Sequence, residues 1–185
     1  MKSKLKALFI LCLSLCMCFG VTACGSGDHD ETEDTMEEPA VELSGNISDF
    51  TTIDLDGNEV TGDIFASKDV TIVNIWGTFC PPCIKELPDL QIINESLPDN
   101  AQMIGILCDV MDRDCDEYKD ALKLIQDNGL TYSNILVDPS MSFMDNVMYV
   151  PTTILVDSEG NVIGEPIVGS DISAYKKALN DYLGE

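Results

Sequence analysis

One segment constrains the fold of this chain more than any other: an apolar, β-branched run that leads into two closely spaced cysteines at the start of a helical pattern. The run is Val70 to Ile75, and the cysteines are Cys80 and Cys83. Apolar residues that barely alternate over such a run predict a strand buried on both faces of a sheet. A buried strand followed by a helix is typical of the α/β class.

The spacing of the two cysteines places them about one helical turn apart, close enough for a disulfide within one segment. Cys80 lies in the cap region, where the positive end of the helix dipole favours a thiolate, the attacking species in disulfide exchange. We therefore predict that Cys80 is the nucleophile and Cys83 the resolving cysteine, with no cofactor beyond their disulfide. Pro81 suits a first helical turn, and Pro81 and Pro82 together remove two amides that could stabilise the thiolate, which favours a reductant.

A Cys-x-x-Cys pair is also half of a typical zinc site, which needs two further ligands. His29 is the only histidine of the chain and lies in a polar stretch. Cys108 and Cys115 could supply the other half, but they are more widely spaced than the usual zinc knuckle. We therefore predict a redox pair and no metal.

Two stretches resemble the TlpA/ResA family of membrane-anchored, extracytoplasmic thioredoxin-like proteins. The first, Ile75 to Pro88, is similar to the active-site segment of that family, and the second, Val150 to Gly160, to its proline loop and the strand after it. The likeness extends from about Ile47 to the C-terminus. It implies that Pro151, between Val150 and Thr152, is cis and faces the disulfide.

The aromatic residues of the first stretch depart from the family pattern at one position. Trp76 matches the family, but family members commonly carry a second Trp directly before the first cysteine, where this chain has Phe79. Phe79 keeps an aromatic wall and loses an indole N–H. We expect this exchange to alter partner preference.

Two polar residues separate this chain from cytosolic thioredoxins. Those proteins carry a buried Asp two residues before the Trp as a proton relay, whereas this chain has Asn74, which cannot titrate. Glu86, three residues after Cys83 on the same helix flank, matches the glutamate that ResA-like proteins place beside their cysteines. A carboxylate there would shift the titration of both thiols. The alternative is an ordinary acidic residue near a helix N-terminus, stabilised by the dipole.

The N-terminal 23 residues have the layout of a secretory signal. Lys2, Lys4 and Lys6 precede an apolar stretch, Ala7 to Val21, that is short for a membrane span. Small residues then lead directly into Cys24, a pattern that resembles a bacterial lipobox. We therefore predict residues 1–23 as a signal peptide and Cys24 as the lipidated first residue of the mature protein. A plain signal peptide and a transmembrane anchor are the alternatives.

The stretch after Cys24 predicts an acidic, disordered tether that ends at residue 45. Residues 25–44 contain eight carboxylates and no lysine or arginine, so they cannot form a packed core. Binding of a metal or a partner by this run is the alternative. The whole chain has a formal net charge of −23, which excludes nucleic acid as a partner. The remaining residues, 46–185, suffice for one domain.

The hydrophobic pattern predicts the elements of that domain in order. A hairpin over residues 50–60 is followed by a strand at 70–76, a helix at 81–96 and a strand at 101–107. A second helix ends near Gly129, and a short strand at 135–137 precedes a Met-rich helical stretch around 143–147. Strands at 152–156 and 162–168 and a final helix complete the pattern. This order predicts a three-layer, thioredoxin-like α/β sandwich with an N-terminal β-hairpin extension.

Cys108 and Cys115 are predicted to lie at the same edge of the sheet as the first cysteine pair. A local structural disulfide, a second redox pair that relays electrons to Cys80–Cys83, unpaired thiols and a metal site are the alternatives. Met141, Met144 and Met148 recur at helical spacing, which favours core or groove lining over copper ligation.

These features predict a membrane-tethered thiol–disulfide oxidoreductase on the extracytoplasmic face of a bacterial cell membrane. The resemblance implies that electrons arrive from a membrane thiol carrier of the CcdA/DsbD type and pass to a disulfide-bearing target. Apocytochrome c, in cytochrome c maturation, and a methionine sulfoxide reductase are the candidate targets. The alternatives are an oxidase that introduces disulfides and a non-catalytic thioredoxin-fold lipoprotein that binds a partner.

Overall fold

The buried run at residues 70–76 forms the central strand of a five-stranded mixed sheet. A computed structural model describes residues 43–184. The strands are β1 (Thr51–Ile53), β2 (Glu59–Thr61), β3 (Val70–Trp76), β4 (Ala101–Leu107), β5 (Ser133–Leu136), β6 (Thr152–Asp157) and β7 (Val162–Val168), and the helices are α1 (Pro81–Ser96), α2 (Asp116–Asp127) and α3 (Ile172–Leu183).

The order of the strands in the sheet is β5-β4-β3-β6-β7. β3, β4 and β5 are parallel, and β6 and β7 join them antiparallel. Parallel neighbours need helical crossovers, which α1 and α2 provide. In the register of the sheet Asn74 pairs with Gly105 of β4 on one side and with Thr153 of β6 on the other. β1 and β2 form a separate antiparallel hairpin.

The two faces of the sheet carry different layers. One hydrophobic cluster joins alternate residues of β3 to buried residues of all three α-helices. The other cluster joins the opposite face to the N-terminal segment and to two 3₁₀ helices, Gly62–Ser67 and Ser142–Asn146. The predicted fold class, a three-layer α/β sandwich with an N-terminal hairpin, is therefore confirmed.

Most predicted elements are found within a residue or two of their expected bounds. The short strand β5 starts two residues earlier than predicted, and one element differs in type, because the Met-rich stretch forms a 3₁₀ helix rather than an α-helix. A run of five residues between two loops is too short for a stable α-helix.

The predicted signal segment, Cys24 and the tether up to residue 42 lie outside the described residues. Residues 43–45, which we predicted as the end of the tether, are described, and Leu43 is buried in the second core cluster. A single leucine after an acidic run carries no periodicity, so the sequence did not reveal this contact. Between residues 43 and 184, no helix combines the length and the apolar character that crossing a bilayer requires.

Candidate active site

Cys80 and Cys83 form a disulfide at the N-terminus of α1. The S–S distance is 2.13 Å and the two Cα atoms lie 5.3 Å apart. Cys80 is the N-cap residue, with an extended backbone, and the N–H of Cys83 donates to its Sγ at 3.3 Å. Cys80 is 4% exposed and Cys83 is fully buried. Of the two cysteines, Cys80 is therefore the more accessible.

The proline loop lies against the disulfide. The Val150–Pro151 peptide bond is cis, as the resemblance implies. The carbonyl oxygen of Val150 lies 3.5 Å from Cys80 Sγ. Thr152 is buried at the start of β6, and its hydroxyl donates to the carbonyl of Tyr149 at 2.7 Å, which fixes the turn that presents the proline. The residue before the cis-proline, 70 positions from Cys80 in sequence, thus places its carbonyl beside the Cys80 sulfur.

Glu86 points into the core rather than to solvent. It is 2% exposed, and Asn74 Nδ2 donates to its Oε1 at 3.0 Å. The same amide nitrogen donates to Thr153 Oγ1 at 2.9 Å, and the hydroxyl of Tyr175 lies 3.1 Å from Glu86 Oε2. Glu86 is therefore a buried, hydrogen-bonded carboxyl and not one exposed on the helix surface.

Burial raises the pKa of Glu86 above its usual range, because an apolar environment penalises the ionised carboxylate. Hydrogen bonds from Ser170, Asn74 and Tyr175 act in the opposite direction, and the nearby charge of Asp89 adds to the rise. The balance leaves a carboxyl that can exchange a proton closer to neutral pH than an exposed glutamate can.

Trp76 ends β3 beneath the active-site loop and is fully buried. Its indole Nε1 donates to Asn134 Oδ1 of β5 at 3.0 Å, across the intervening strand β4. Gly105 permits this contact, because a Cβ at that position would lie 2.0 Å from Asn134 Oδ1. The three residues fix the end of β3 from which the loop to Cys80 departs.

Asp109 holds the loop between Trp76 and Cys80. Its Oδ2 accepts from the backbone N–H of Thr78 at 2.9 Å and from the Thr78 hydroxyl at 2.6 Å. The ring of Phe79 folds over Gly77, where a Cβ would lie 2.6 Å from the ring. Phe79 itself is 66% exposed. The predicted aromatic wall is therefore an outward-facing surface beside the disulfide.

An apolar groove of about 520 Å³ runs beside the disulfide. It extends from Phe79 to the proline loop, and its sulfur-bearing residues are Cys108, Met144 and Met148. Met148 is 69% exposed, whereas Met141 is buried in the core. The methionines therefore line the core and the groove, as their spacing predicted.

Cys108 and Cys115 are free thiols in the structure, which corresponds to the unpaired state among the alternatives for this pair. Cys108 follows β4, with its N–H bonded to the Trp76 carbonyl at 2.8 Å and its sulfur directed to Gly77 and the groove. Cys115 caps α2, and its sulfur lies 3.2 Å from the Asp112 carbonyl oxygen. Burial, with the charge of Asp109, raises the pKa of Cys108 to about 11.

Sequence reasoning missed three residues of this site. Tyr175 reads as part of the apolar face of α3, and Asp109 and Asn134 read as loop and strand-start residues. No periodicity marks a hydroxyl or a carboxylate that contacts a residue far away in sequence. The one available signal was the position of Asp109 directly after a strand end, at the edge where Cys80 was expected.

A mixed sheet of this order, a disulfide at the start of the helix after its central strand, and a cis-proline loop beside that disulfide define a class. They are the features of a thioredoxin-like thiol–disulfide oxidoreductase.

Residues 44–164 match the AhpC/TSA family, and the chain belongs to this family. The thiol-disulfide oxidoreductase ResA of Bacillus thuringiensis subsp. konkukian (strain 97-27) is 30% identical to it over 150 residues, 80% of either chain. The thiol:disulfide interchange protein DsbE of Haemophilus influenzae is 27% identical over 166 residues, 86% of this chain and 83% of the relative.

Solved structures of related name have a similar fold. A thiol:disulfide interchange protein of the thioredoxin family from Chlorobium tepidum superposes with a TM-score of 0.61 at 21% identity, over 76% of this chain and 97% of that one. The resemblance indicated by the two motif stretches is confirmed, and the protein is a thiol–disulfide oxidoreductase.

Proposed function

We propose that this protein is a membrane-tethered enzyme outside the cytoplasm that reduces disulfides of partner proteins. The observation that carries the proposal is the Cys80–Cys83 disulfide at the N-terminus of α1, with a buried glutamate behind it and an apolar groove beside it. Electrons would enter from a membrane thiol carrier of the CcdA/DsbD type.

The reaction consists of two thiol exchanges. The thiolate of reduced Cys80 attacks one sulfur of the target disulfide, which forms a mixed disulfide and releases the other target sulfur as a thiolate. The thiolate of Cys83 then attacks Cys80 Sγ and releases the second target sulfur. The target gains two electrons, its two released thiolates take up the two protons that the Cys80 and Cys83 thiols lost on ionising, and the enzyme is left with the Cys80–Cys83 disulfide.

The local amides favour this direction of electron flow. Pro81 and Pro82 have no N–H. Of the first three residues of α1, only Cys83 therefore donates a backbone hydrogen bond to Cys80 Sγ. A weakly stabilised thiolate makes the reduced form less stable, and a less stable reduced form is a better electron donor.

Glu86 is proposed to handle the proton of the resolving thiol. It lies one helical turn from Cys83, and burial raises its pKa. Asn74 cannot exchange a proton, but its amide orients the carboxyl. The carboxylate would accept the Cys83 proton before the second exchange, which turns the thiol into the attacking species.

The apolar groove is proposed to bind the segment of the target that carries the disulfide. Phe79 and Met148 are exposed apolar residues at its rim, and Val150 O lies beside Cys80 at its inner end. Burying such residues against a target supplies affinity without a change in the redox chemistry.

The proposal of a tether and of these targets is based on the sequence. Lipidation of Cys24 would hold the domain at the membrane, and the acidic stretch up to residue 45 would separate the two. The candidate targets remain apocytochrome c and a methionine sulfoxide reductase.

Trapping in the host tests this function. A Cys83→Ser variant lacks the resolving thiol, so mixed disulfides through Cys80 should accumulate, and their partners should include a membrane thiol carrier and a target protein whose disulfide Cys80 has attacked. The matched control is Cys80→Ser with Cys83→Ser, which should trap nothing. Adding Phe79→Ala should lower the amount of trapped target, whereas Ile92→Ala, an exposed apolar residue outside the groove, should not. Equal function of wild type and Cys80→Ser would instead identify a binding protein.

A further inference from the structure

The hydroxyl of Tyr175 lies between two acceptors. It is 3.1 Å from Glu86 Oε2 and 2.7 Å from the carbonyl oxygen of Gly169, and the tyrosine is fully buried on α3. A phenol has one proton to donate, so it can donate to one of these oxygens at a time. Burial raises the pKa of Tyr175 to about 12, so the phenol keeps its proton near neutral pH.

The protonation state of Glu86 therefore decides which acceptor receives that proton. When Glu86 is ionised, Tyr175 donates to the carboxylate. When Glu86 carries a proton on Oε2, the carboxyl donates to the phenol oxygen, and Tyr175 donates to the carbonyl of Gly169. Both states keep the phenol proton, and the carboxyl proton when it is present, in a hydrogen bond.

Gly169 links this exchange to the proline loop. Its N–H donates to the carbonyl of Pro151 at 2.8 Å, and the neighbouring Val150 O lies 3.5 Å from Cys80 Sγ. A continuous path thus runs from the Glu86 carboxyl through Tyr175 and Gly169 to the loop beside the disulfide.

Few other groups face Glu86. Asn74 donates to it from β3 and Ser170 from the loop before α3, and Asp89 on its own helix is the charged neighbour. Tyr132 lies before β5. Burial raises the pKa of its phenol, and the nearby carboxylate charge of Glu86 adds to that rise. Among residues 43–184, however, the hydroxyl of Tyr132 has no hydrogen-bond partner.

We propose that Tyr175 is a positioning residue whose hydroxyl holds Glu86 and passes changes in the protonation of that carboxyl to the proline loop. The inference rests on the proposed role of Glu86 in the redox reaction. It assigns a function to a residue outside the cysteine helix and the proline loop.

The experiment is a nuclear magnetic resonance titration of the full chain in detergent, kept oxidised, with ¹³C in the glutamate carboxyls. Glu86→Gln identifies the Glu86 signal by removing it. In Tyr175→Phe the midpoint of Glu86 should rise by about one pH unit, because a hydrogen bond to the ionised form is lost. Tyr132→Phe, a buried tyrosine with no bond to Glu86, should leave the midpoint in place.

The amide signals of Gly169 and Ser170 provide a second readout. In wild type they should follow the Glu86 midpoint, and in Tyr175→Phe they should no longer do so. An unchanged midpoint in a folded Tyr175→Phe variant, or wild-type Gly169 signals that ignore the titration of Glu86, would overturn the proposal. The second outcome needs no variant to fold.

The proposed function fails by a different measurement. That measurement is the reduction of a target disulfide by Cys80→Ser at a single pH, where activity should be lost. If Cys80→Ser keeps its activity, the proposed enzyme mechanism fails, whatever the role of Glu86. Conversely, an active wild type with an uncoupled Tyr175 would leave the function in place and remove only this inference.

Discussion

Glu86 is a carboxyl that polar contacts hold in the core beside the cysteine helix. A carboxyl on the first turns of a helix is usually solvated, but here α1 places it against β3 and α3, where Asn74 and Tyr175 are its partners. Burial raises its pKa, and the polar contacts limit that rise. The result is a group that can change its charge without leaving the core.

The stability of the protein should reveal this shift. Because the folded pKa of Glu86 is raised, the folded state binds its proton more tightly than the unfolded chain, for which the reference pKa is 4.5. Stability contributed by Glu86 is therefore full below that value and lost as the pH rises toward the folded pKa. As the pH rises through this window, the free energy of unfolding of wild type should fall by up to about 1.4 kcal/mol per pH unit relative to that of Glu86→Gln.

Urea unfolding of the oxidised proteins between pH 4 and pH 8 measures the difference in the free energy of unfolding between wild type and Glu86→Gln. Glu95→Gln, which removes the carboxylate of an exposed glutamate on the same helix, is the control for the loss of a charge from α1. If the difference in the free energy of unfolding between wild type and Glu86→Gln does not change with pH, the pKa of Glu86 is not raised.

The two remaining thiols of the domain should behave as different groups. Iodoacetamide labelling without reductant, followed by peptide mapping, should modify both Cys108 and Cys115, because both are free. The labelling rate of Cys108 should still rise above pH 9, since its pKa is raised to about 11. Recovery of a peptide linked through Cys108 and Cys115 would contradict this account.

At the scale of elements, three strands meet at the indole of Trp76. β3 supplies the tryptophan, β5 supplies Asn134, and β4 passes between them with a glycine. The bond fixes the point where β3 ends and the loop to Cys80 begins.

Gly105→Ala tests this arrangement. The new Cβ would lie 2.0 Å from Asn134 Oδ1, so the amide must move and its bond to the indole is lost. We expect a loss of about 1–3 kcal/mol in the free energy of unfolding. Trp76 is the only tryptophan of the chain, so its fluorescence should also change.

The double variant Gly105→Ala with Asn134→Ala provides the control, because it removes the clashing amide and leaves only a tight contact of 3.0 Å to Trp76 Nε1. Adding Gly105→Ala to Asn134→Ala should therefore cost much less stability than adding it to wild type. A double variant that loses the full sum of both single effects would show that Gly105 acts elsewhere.

The helices and strands were predictable where the sequence has long apolar runs and clear boundary residues. β3, α1 and β4 follow from an unbroken apolar run, a proline pair and a second apolar run, and the structure places each at its expected bounds. β5 and the stretch at 142–146 are short, so neighbouring contacts decide their limits. Cysteine spacing identified the disulfide at α1, but it also suggested one between Cys108 and Cys115 that the loop geometry does not form.

Long-range polar contacts were beyond the reach of sequence patterns. The hydroxyl of Tyr175 and the carboxylate of Asp109 act across 89 and 31 positions of the chain, on Glu86 and Thr78. Hydrophobic periodicity reports which face of an element is buried, not which buried atoms meet there.

At the scale of the whole molecule, the proposal joins a redox domain to a membrane through an acidic tether. Metabolic labelling with a fatty acid should place label on wild type and none on Cys24→Ala, because the lipobox cysteine is the proposed acceptor. Domain activity in solution should be equal in the two proteins. Wild type without label would remove the lipid anchor and leave the chemistry of the domain intact.

The central claim is that Cys80 attacks a target disulfide and Cys83 resolves the adduct. The most direct measurement mixes reduced protein with a model disulfide protein such as insulin and follows the products by mass spectrometry. Wild type should reduce one target disulfide for each Cys80–Cys83 disulfide formed, Cys83→Ser should stop at a mixed disulfide on Cys80, and Cys80→Ser should react far more slowly. Reduction by Cys80→Ser at the wild-type rate, or an adduct on another cysteine, would contradict the account.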